Sequence, residues 1–281
     1  MNVVQEYFIE DCVAGARSRI VDGSASLVFA DPPFNIGFDK KSSMYQYGVS
    51  VNEDIYYDDG KTREEYIGWS STWIAEAKRV LKPNGLFVLM SGWNQVSYLE
   101  IKAHDAGFET LNHLIWHYEF GPQTKRKYVT SHYHYLILLN GRVKDNGWTF
   151  NKTDRYEEDV FNDIRRLTKR YTDIKHPCKL NEDVLVKFFL NLTNPGDLVV
   201  DLFVGAGTSL VAARKTNRNY IGFEINPAYQ PEIEKMIARR QGMPIETFAR
   251  HHAVMQKTTL DTFAEMNAKA RDIVKRNLPP R

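Results

Sequence analysis

The chain is poor in cysteine: Cys12 and Cys178 are the only two in 281 residues. That number gives no disulfide framework, and neither sulfur sits in a metal-type pair. A reducing compartment is therefore the expectation. No stretch approaches the roughly 18 apolar residues of a membrane span. The first residues carry Glu6, Glu10 and Asp11 without an apolar run suited to a signal peptide, so a cytoplasmic location is expected. An excess of one charge is also missing. Lys and Arg number 37 against 35 Asp and Glu, for a net charge of +2. A polyanionic partner would have to be met by local basic patches. Repeats and low-complexity tracts are absent. With 43% hydrophobic and 26% charged residues, the chain has the composition of an ordinary globular protein with a sizeable core.

Short apolar runs alternate with helical patterns. Tyr7–Ile9, Ser26–Ala30 and Leu86–Met90 read as buried strands. Thr62 with Glu65 forms a capping-box signature before a helix that Lys82-Pro83-Asn84-Gly85 ends. A helix follows over about 94–106, then β-rich runs at His113–Tyr118 and Tyr133–Leu139. A helix over 181–192, a strand over 198–204, a helix after Gly207 and a strand over 220–224 complete the pattern. The alternation predicts an α/β fold with a mostly parallel sheet covered by helices. The polar loop from Asn35 to Lys61 is long enough to suggest a functional element. Four segments are expected: a catalytic half over 1–140, a small polar insert over 141–175, a cofactor half over 176–240 and a helical extension over 241–281.

Asp201-Leu202-Phe203-Val204-Gly205-Ala206-Gly207-Thr208 follows an apolar strand and opens a helix. Glycines at such a turn let backbone approach a ligand at the carboxyl end of the strands. Glu224 closes the next strand, at the spacing of an acid that takes ribose hydroxyls. The bland alternative is a tight strand-to-helix turn. Leu210 stands where a dinucleotide fingerprint needs a small residue, which disfavours a nicotinamide dehydrogenase. The P-loop ending is absent. A nucleoside cofactor without phosphates, S-adenosylmethionine, fits.

Asp31-Pro32-Pro33-Phe34 also follows a buried strand, and its prolines stiffen the turn. An exocyclic amine of adenine or cytosine is a poor nucleophile. A carboxylate accepting one N–H and the Pro32 or Pro33 carbonyl accepting the other would aim its nitrogen at a methyl donor. Phe34 offers a stacking face for a flipped base. Alone, the motif is equally a strand-ending turn.

Together the two motifs resemble the N6-adenine/N4-cytosine DNA methyltransferases, over about Tyr7 to Arg239. With the catalytic motif first, the order is similar to the circularly permuted β class. The resemblance implies a Rossmann-like fold, S-adenosylmethionine as cofactor and double-stranded DNA as substrate, in a restriction–modification setting. It leaves a homodimer open. Asp31 as the acid is similar to adenine-directed members. Asp11 and Cys12 resemble the turn near the cofactor adenine, with Glu10 a departure. Asp201, Phe203, Gly205, Gly207, Thr208 and Glu224 form the main cofactor motif. His176 and Lys179 resemble the element flanking the methionine end, with Leu180 replacing a proline. Ser131-His132-Tyr133 resembles a Ser-His-Glu element, with Tyr133 in place of the acid.

Two basic groups are candidate DNA contacts: Lys125, Arg126 and Lys127 as a phosphate clamp, and Arg165, Arg166, Lys169 and Arg170 in the insert. A solvated face is the alternative for each. His132 and His134 lack a third ligand nearby in sequence, so no metal is expected. Transfer is direct, because a cysteine nucleophile belongs to carbon methylation. The same chemistry on RNA or a protein amide, or a non-catalytic nucleic-acid-binding relative, are the rival readings.

Overall fold

A computed structural model describes residues 4–36, 60–118, 124–154, 156–162, 164 and 180–239. Eight strands form one sheet: β1 (Gln5–Ile9), β2 (Ala25–Ala30), β3 (Leu81–Ser91), β4 (Glu109–His117), β5 (His132–Leu139), β6 (Val160–Phe161), β7 (Leu198–Asp201) and β8 (Asn219–Glu224). Their order is β1-β8-β7-β2-β3-β5-β4-β6. β5 runs antiparallel to both its neighbours, and the other pairings are parallel. Among the described residues five α-helices lie between strands, α1 (Cys12–Arg19), α2 (Arg63–Val80), α3 (Val96–Asp105), α4 (Glu182–Leu192) and α5 (Thr208–Lys215), and α6 (Gln230–Arg239) follows β8. The expected α/β class is the observed one.

The faces sort by the two-residue period of the strands. Val28, Ala30, Phe87, Leu89, Leu136 and Leu138 meet Ala16 of α1, Tyr66, Trp73 and Ala77 of α2 and Leu99 of α3 in one core. The alternate residues face α4 and α5. There Tyr135 packs its ring on Phe188, at 5.0 Å between centroids, and Asp201 takes the hydroxyl of Ser209.

α2 starts as its sequence predicts. Thr62 accepts from the Glu65 N–H at 3.3 Å, and the Glu65 carboxylate accepts from the Thr62 N–H at 2.8 Å. α2 ends at Val80, because the strand begins earlier than its apolar run. Leu81 pairs with Ala25, and the register then jumps to Leu27 with Leu86, so Lys82–Gly85 bulges out. α1 has no counterpart in the sequence reading. Its buried residues, Cys12, Gly15 and Ala16, are small, so it has no apolar stripe to see. It lies close on the sheet instead: a Cβ at Gly15 would meet the Phe223 ring at 2.4 Å. β7 ends at Asp201 rather than at 204. The segment 141–162 sends Val160 and Phe161 to the edge of the main sheet beside β4.

Candidate active site at the carboxyl edge of the sheet

From β2 the chain passes through α2 to β3 on one side, and from β7 through α5 to β8 on the other. β2 and β7 are neighbours, so the order of the sheet reverses between them. Ligands of doubly wound sheets bind outside the carboxyl ends at such a point. Four neighbouring strands each end in an acid there: Asp11 after β1, Glu224 in β8, Asp201 in β7 and Asp31 after β2. Residues as far apart in sequence as Asp11 and Glu224 come together in this row.

Each acid is held differently. Asp11 N-caps α1, accepting from Val13 N–H at 3.0 Å and Ala14 N–H at 2.9 Å. Asp201 accepts from the Phe203 N–H at 2.8 Å and from the Ser209 hydroxyl. Burial pushes Asp201 up to about 7 against these bonds. Glu224 accepts from Gly205 N–H and from Asn226 N–H, both at 2.8 Å. Burial raises it, opposed by those bonds. The Ile225 N–H adds to them, and a carboxylate with about four lone-pair directions still has acceptor capacity for a ligand. Asp31 retains some open surface, yet burial of its carboxyl, with Asp201 beside it, pushes it up to about 8. The Cys12 thiol is pushed up to about 12 by burial first and by Asp11 second. It is not a thiolate nucleophile at neutral pH.

The glycine turn has the backbone its residues suggest. Gly205 and Gly207 have φ of 55° and 86°, the left-handed region that glycine enters freely. Gly207 caps α5, which has no side-chain cap, and Thr208 is buried in its first turn. Phe203 turns its ring to Trp69 and Trp73 of α2, at 5.7 and 5.5 Å. Leu210 fits for a reason outside its own motif. It lies over Gly222 of β8, where a Cβ would meet its Cδ2 at 2.9 Å and Val204 Cγ2 at 2.5 Å. The small residue needed for close helix–strand contact is supplied by the strand.

The turn after β2 is fastened by residues that the motifs do not contain. The Tyr66 hydroxyl donates to the Pro33 carbonyl at 2.8 Å. Asn94 Nδ2 donates to the Phe34 carbonyl at 2.9 Å. Asn35, with φ of 51°, exchanges two bonds with the backbone of Lys61, at 2.8 and 2.9 Å, and so closes the long polar loop at its base. Pro32 is buried, and the Phe34 ring is half-buried at 5.7 Å from Tyr133. Tyr133 in turn lies 4.9 Å from Tyr118 and 5.7 Å from Trp116. Tyr66, Asn94 and Tyr133 thus surround the candidate catalytic turn. Only pairing between distant segments reveals the first two.

Lys125, Arg126 and Lys127 are exposed on the β4–β5 connection, beside Tyr128, which is 99% exposed. The Tyr118 N–H to Ser131 carbonyl bond, 2.8 Å, closes this hairpin next to the Phe34–Tyr133 pair. Strand pairing also brings His113 Nε2 to within 2.8 Å of His134 Nδ1, a third imidazole that sequence spacing does not offer. Burial, His113 and His132 lower His134 to about 4. Among the described residues no group of His, Cys, Asp and Glu is arranged to hold a metal. His176, Lys179, Arg165, Arg166, Lys169 and Arg170 lie outside the described residues, as does the extension from 241.

A glycine turn and strand-end acids at the switch point of such a sheet define a Rossmann-like α/β fold with its ligand-binding edge. The chain matches the model of the N6/N4 DNA methylase family over residues 25–235, and it belongs to that family. It is 28% identical to the type II methyltransferase M.HpaI of Haemophilus parainfluenzae, over 76% of this chain and 68% of that one. It is 27% identical to the DNA adenine methyltransferase YhdJ of Escherichia coli K12, over 75% of each. TTHA0409 of Thermus thermophilus, solved with S-adenosyl-L-methionine, superposes with a TM-score of 0.61 at 17% identity, covering 86% of this chain and 96% of that one. The cytosine-N4-specific PvuII DNA methyltransferase does so with 0.60 at 15% identity, covering 88% and 90%. No described helix is long and apolar enough to cross a membrane.

Proposed function

We propose that the protein transfers a methyl group from S-adenosylmethionine to the exocyclic amine of a base in double-stranded DNA, with adenine N6 the target. The observation that carries this reading is the convergence of Asp31 with the Asp201–Gly205–Gly207–Glu224 turn at the switch point of the sheet. S-adenosylmethionine supplies an electrophilic methyl on a cationic sulfur. The residues present suit it. Glu224 has acceptor capacity for ribose hydroxyls, and the N-terminus of α5, which Gly207 caps without a side chain, suits a carboxylate. The turn carries no device for phosphates, and Asp31 and Asp201, once ionised, would favour a cationic ligand beside them.

On the substrate side, Asp31 accepts one amine N–H and the Pro32 carbonyl the other. Pro32 is favoured over Pro33, whose carbonyl already accepts from Tyr66. The Phe34 ring stacks on the base, backed by Tyr133. Orientation and electrostatics do the work, without a covalent intermediate. Asp31 as the acid and the relationship to a DNA adenine methyltransferase support adenine.

The test incubates the protein with labelled S-adenosylmethionine and unmethylated genomic DNA, then digests the DNA to nucleosides. Label in N6-methyldeoxyadenosine is the expected result. Label in N4-methyldeoxycytidine would move the target base and keep the chemistry. No label in DNA, with transfer to RNA or protein instead, would overturn the proposal.

A further inference from the structure

Tyr135 of β5 is fully buried, and its hydroxyl has no hydrogen-bond partner among the described residues. A buried tyrosine ordinarily finds one, and an unpaired buried hydroxyl weakens the fold. The ring itself is well seated, edge-on to Phe188 at 5.0 Å and 6.5 Å from Trp116. Packing therefore accounts for an aromatic residue at 135 but not for its oxygen. Phenylalanine would fill the same space without the unpaired group.

The strand register shows what the hydroxyl is near. Ala30 pairs with Leu89, and Met90 pairs with Tyr135. Asp31, one residue past Ala30, stands level with Met90. Cross-strand partners share a face of the sheet, so Asp31 and Tyr135 both project toward α4 and α5. They are two strand spacings apart, roughly 10 Å between Cα atoms. Burial raises the phenol well above its ordinary range, and the nearby charges of Asp31 and Tyr133 add to that. The titratable groups around Asp31 are Asp201 from β7, Tyr133 and Tyr135 from β5 and Tyr66 from α2. Glu224 and Cys12 stand behind Asp201.

We propose that Tyr135 is a positioning residue for Asp31: its hydroxyl donates to the ionised carboxylate and fixes which oxygen faces the target amine. This rests on the proposed role of Asp31. When Asp31 loses its proton to solvent, a rotatable donor already within the protein takes up the new charge. No other group among those named combines a buried donor with the absence of a partner. The unpaired hydroxyl of the free protein is then a stability cost retained for the ionised state.

Tyr135→Phe tests this, because it keeps the ring and removes only the oxygen. The first readout is the Asp31 carboxyl titration, followed by carbon-13 NMR and assigned with Asp31→Asn. Its midpoint shifts upward by about half a pH unit or more. The second is thermal stability, which rises by about 2–4 °C as the unpaired group is deleted. The third is turnover on DNA. There kcat falls about tenfold, its acid limb moves to higher pH, and KM for DNA and the cofactor dissociation constant stay as in wild type. An Asp31 midpoint that does not move overturns the proposal. The titration needs no methyl transfer, so an inactive wild type would count against the proposed function and leave the Tyr135 test decisive.

Discussion

Asp201 stands beside Asp31 at the ends of adjacent parallel strands, and its carboxyl is the second cause, after burial, of the rise of Asp31 to about 8. A carboxyl so raised is mostly protonated at neutral pH, and the neutral form is a much weaker acceptor for an amine N–H than the carboxylate. Activity therefore depends on ionising it. The free-protein value governs kcat/KM, which is expected to climb between about pH 6 and 8. Removing a negative neighbour favours ionisation, so Asp201→Asn moves that limb to lower pH even as it weakens the turn. A pH profile of kcat/KM with an unmoved acid limb would show that another group controls it.

The same shift makes a stability prediction of definite sign. The folded value of Asp31, about 8, lies above its value in the unfolded chain, near 3.9. Below about pH 4 the group is protonated in both states and has no effect. Between there and pH 8 the folded state loses stability relative to a neutral side chain. Asp31→Asn should therefore melt several degrees higher than wild type at pH 8, with the gap closing near pH 4, while methyl transfer is lost. Melting curves at the two pH values decide it. A lower melting temperature at pH 8 would mean that the carboxylate is stabilised by groups not identified above.

Much of this site is legible in the sequence because its chemistry is local. Asp31-Pro32-Pro33-Phe34 and the Asp201–Thr208 turn are contiguous, and each sits where an apolar run stops. What stays hidden depends on pairing. Tyr66 and Asn94 reach the catalytic turn from α2 and the β3–α3 connection, through contacts that no periodicity encodes. α1 escapes a reading by pattern because a helix that packs by small residues has no apolar stripe. Leu210 is a defect of a fingerprint only until Gly222 supplies the missing space from the opposite side.

That exchange can be tested. Gly222→Ala forces a methyl into space held by Val204 and Leu210, with contacts at 2.5 and 2.9 Å. Overpacking of this kind costs about 1–3 kcal/mol. The neighbouring Gly205 N–H to Glu224 bond should be disturbed too, so cofactor affinity falls along with stability. Adding Leu210→Ala makes room and should recover part of the stability. Denaturant melts and cofactor titrations of the single and double variants measure this. A double variant less stable than the sum of the two singles would refute the steric account.

Phe34→Ala removes the ring that faces Tyr133 at 5.7 Å. Base–aromatic stacking is worth about 1–3 kcal/mol. The loss should appear chiefly as weaker capture of a paired target base, and less for a mismatched base, which is cheaper to extrude. Single-turnover rates on matched and mismatched duplexes give the comparison. Equal losses on both would assign Phe34 to packing rather than to the base.

The last prediction concerns how DNA is held before the base is flipped. The motifs at the carboxyl edge grip one base and cannot engage the duplex around it. Among the described residues, Lys125, Arg126 and Lys127 form a run of exposed cations on the β4–β5 hairpin, whose base closes beside Phe34 and Tyr133. Charges at that position would meet phosphates flanking the target. Each phosphate contact contributes about 0.9 to the slope of log affinity against log salt. Replacing all three with glutamine should flatten that slope by up to about 3 and weaken DNA binding most at low salt. Cofactor affinity, set at β7 and β8, should not change. Tyr128, almost wholly exposed next to the run, carries no charge. Tyr128→Ala should therefore reduce affinity without altering the slope if it contacts sugar or base. Fluorescence anisotropy over a salt series, run with wild type, the triple variant and Tyr128→Ala, separates these effects. A triple variant with the wild-type slope would put the phosphate contacts elsewhere, with Arg165, Arg166, Lys169 and Arg170 the next group to neutralise.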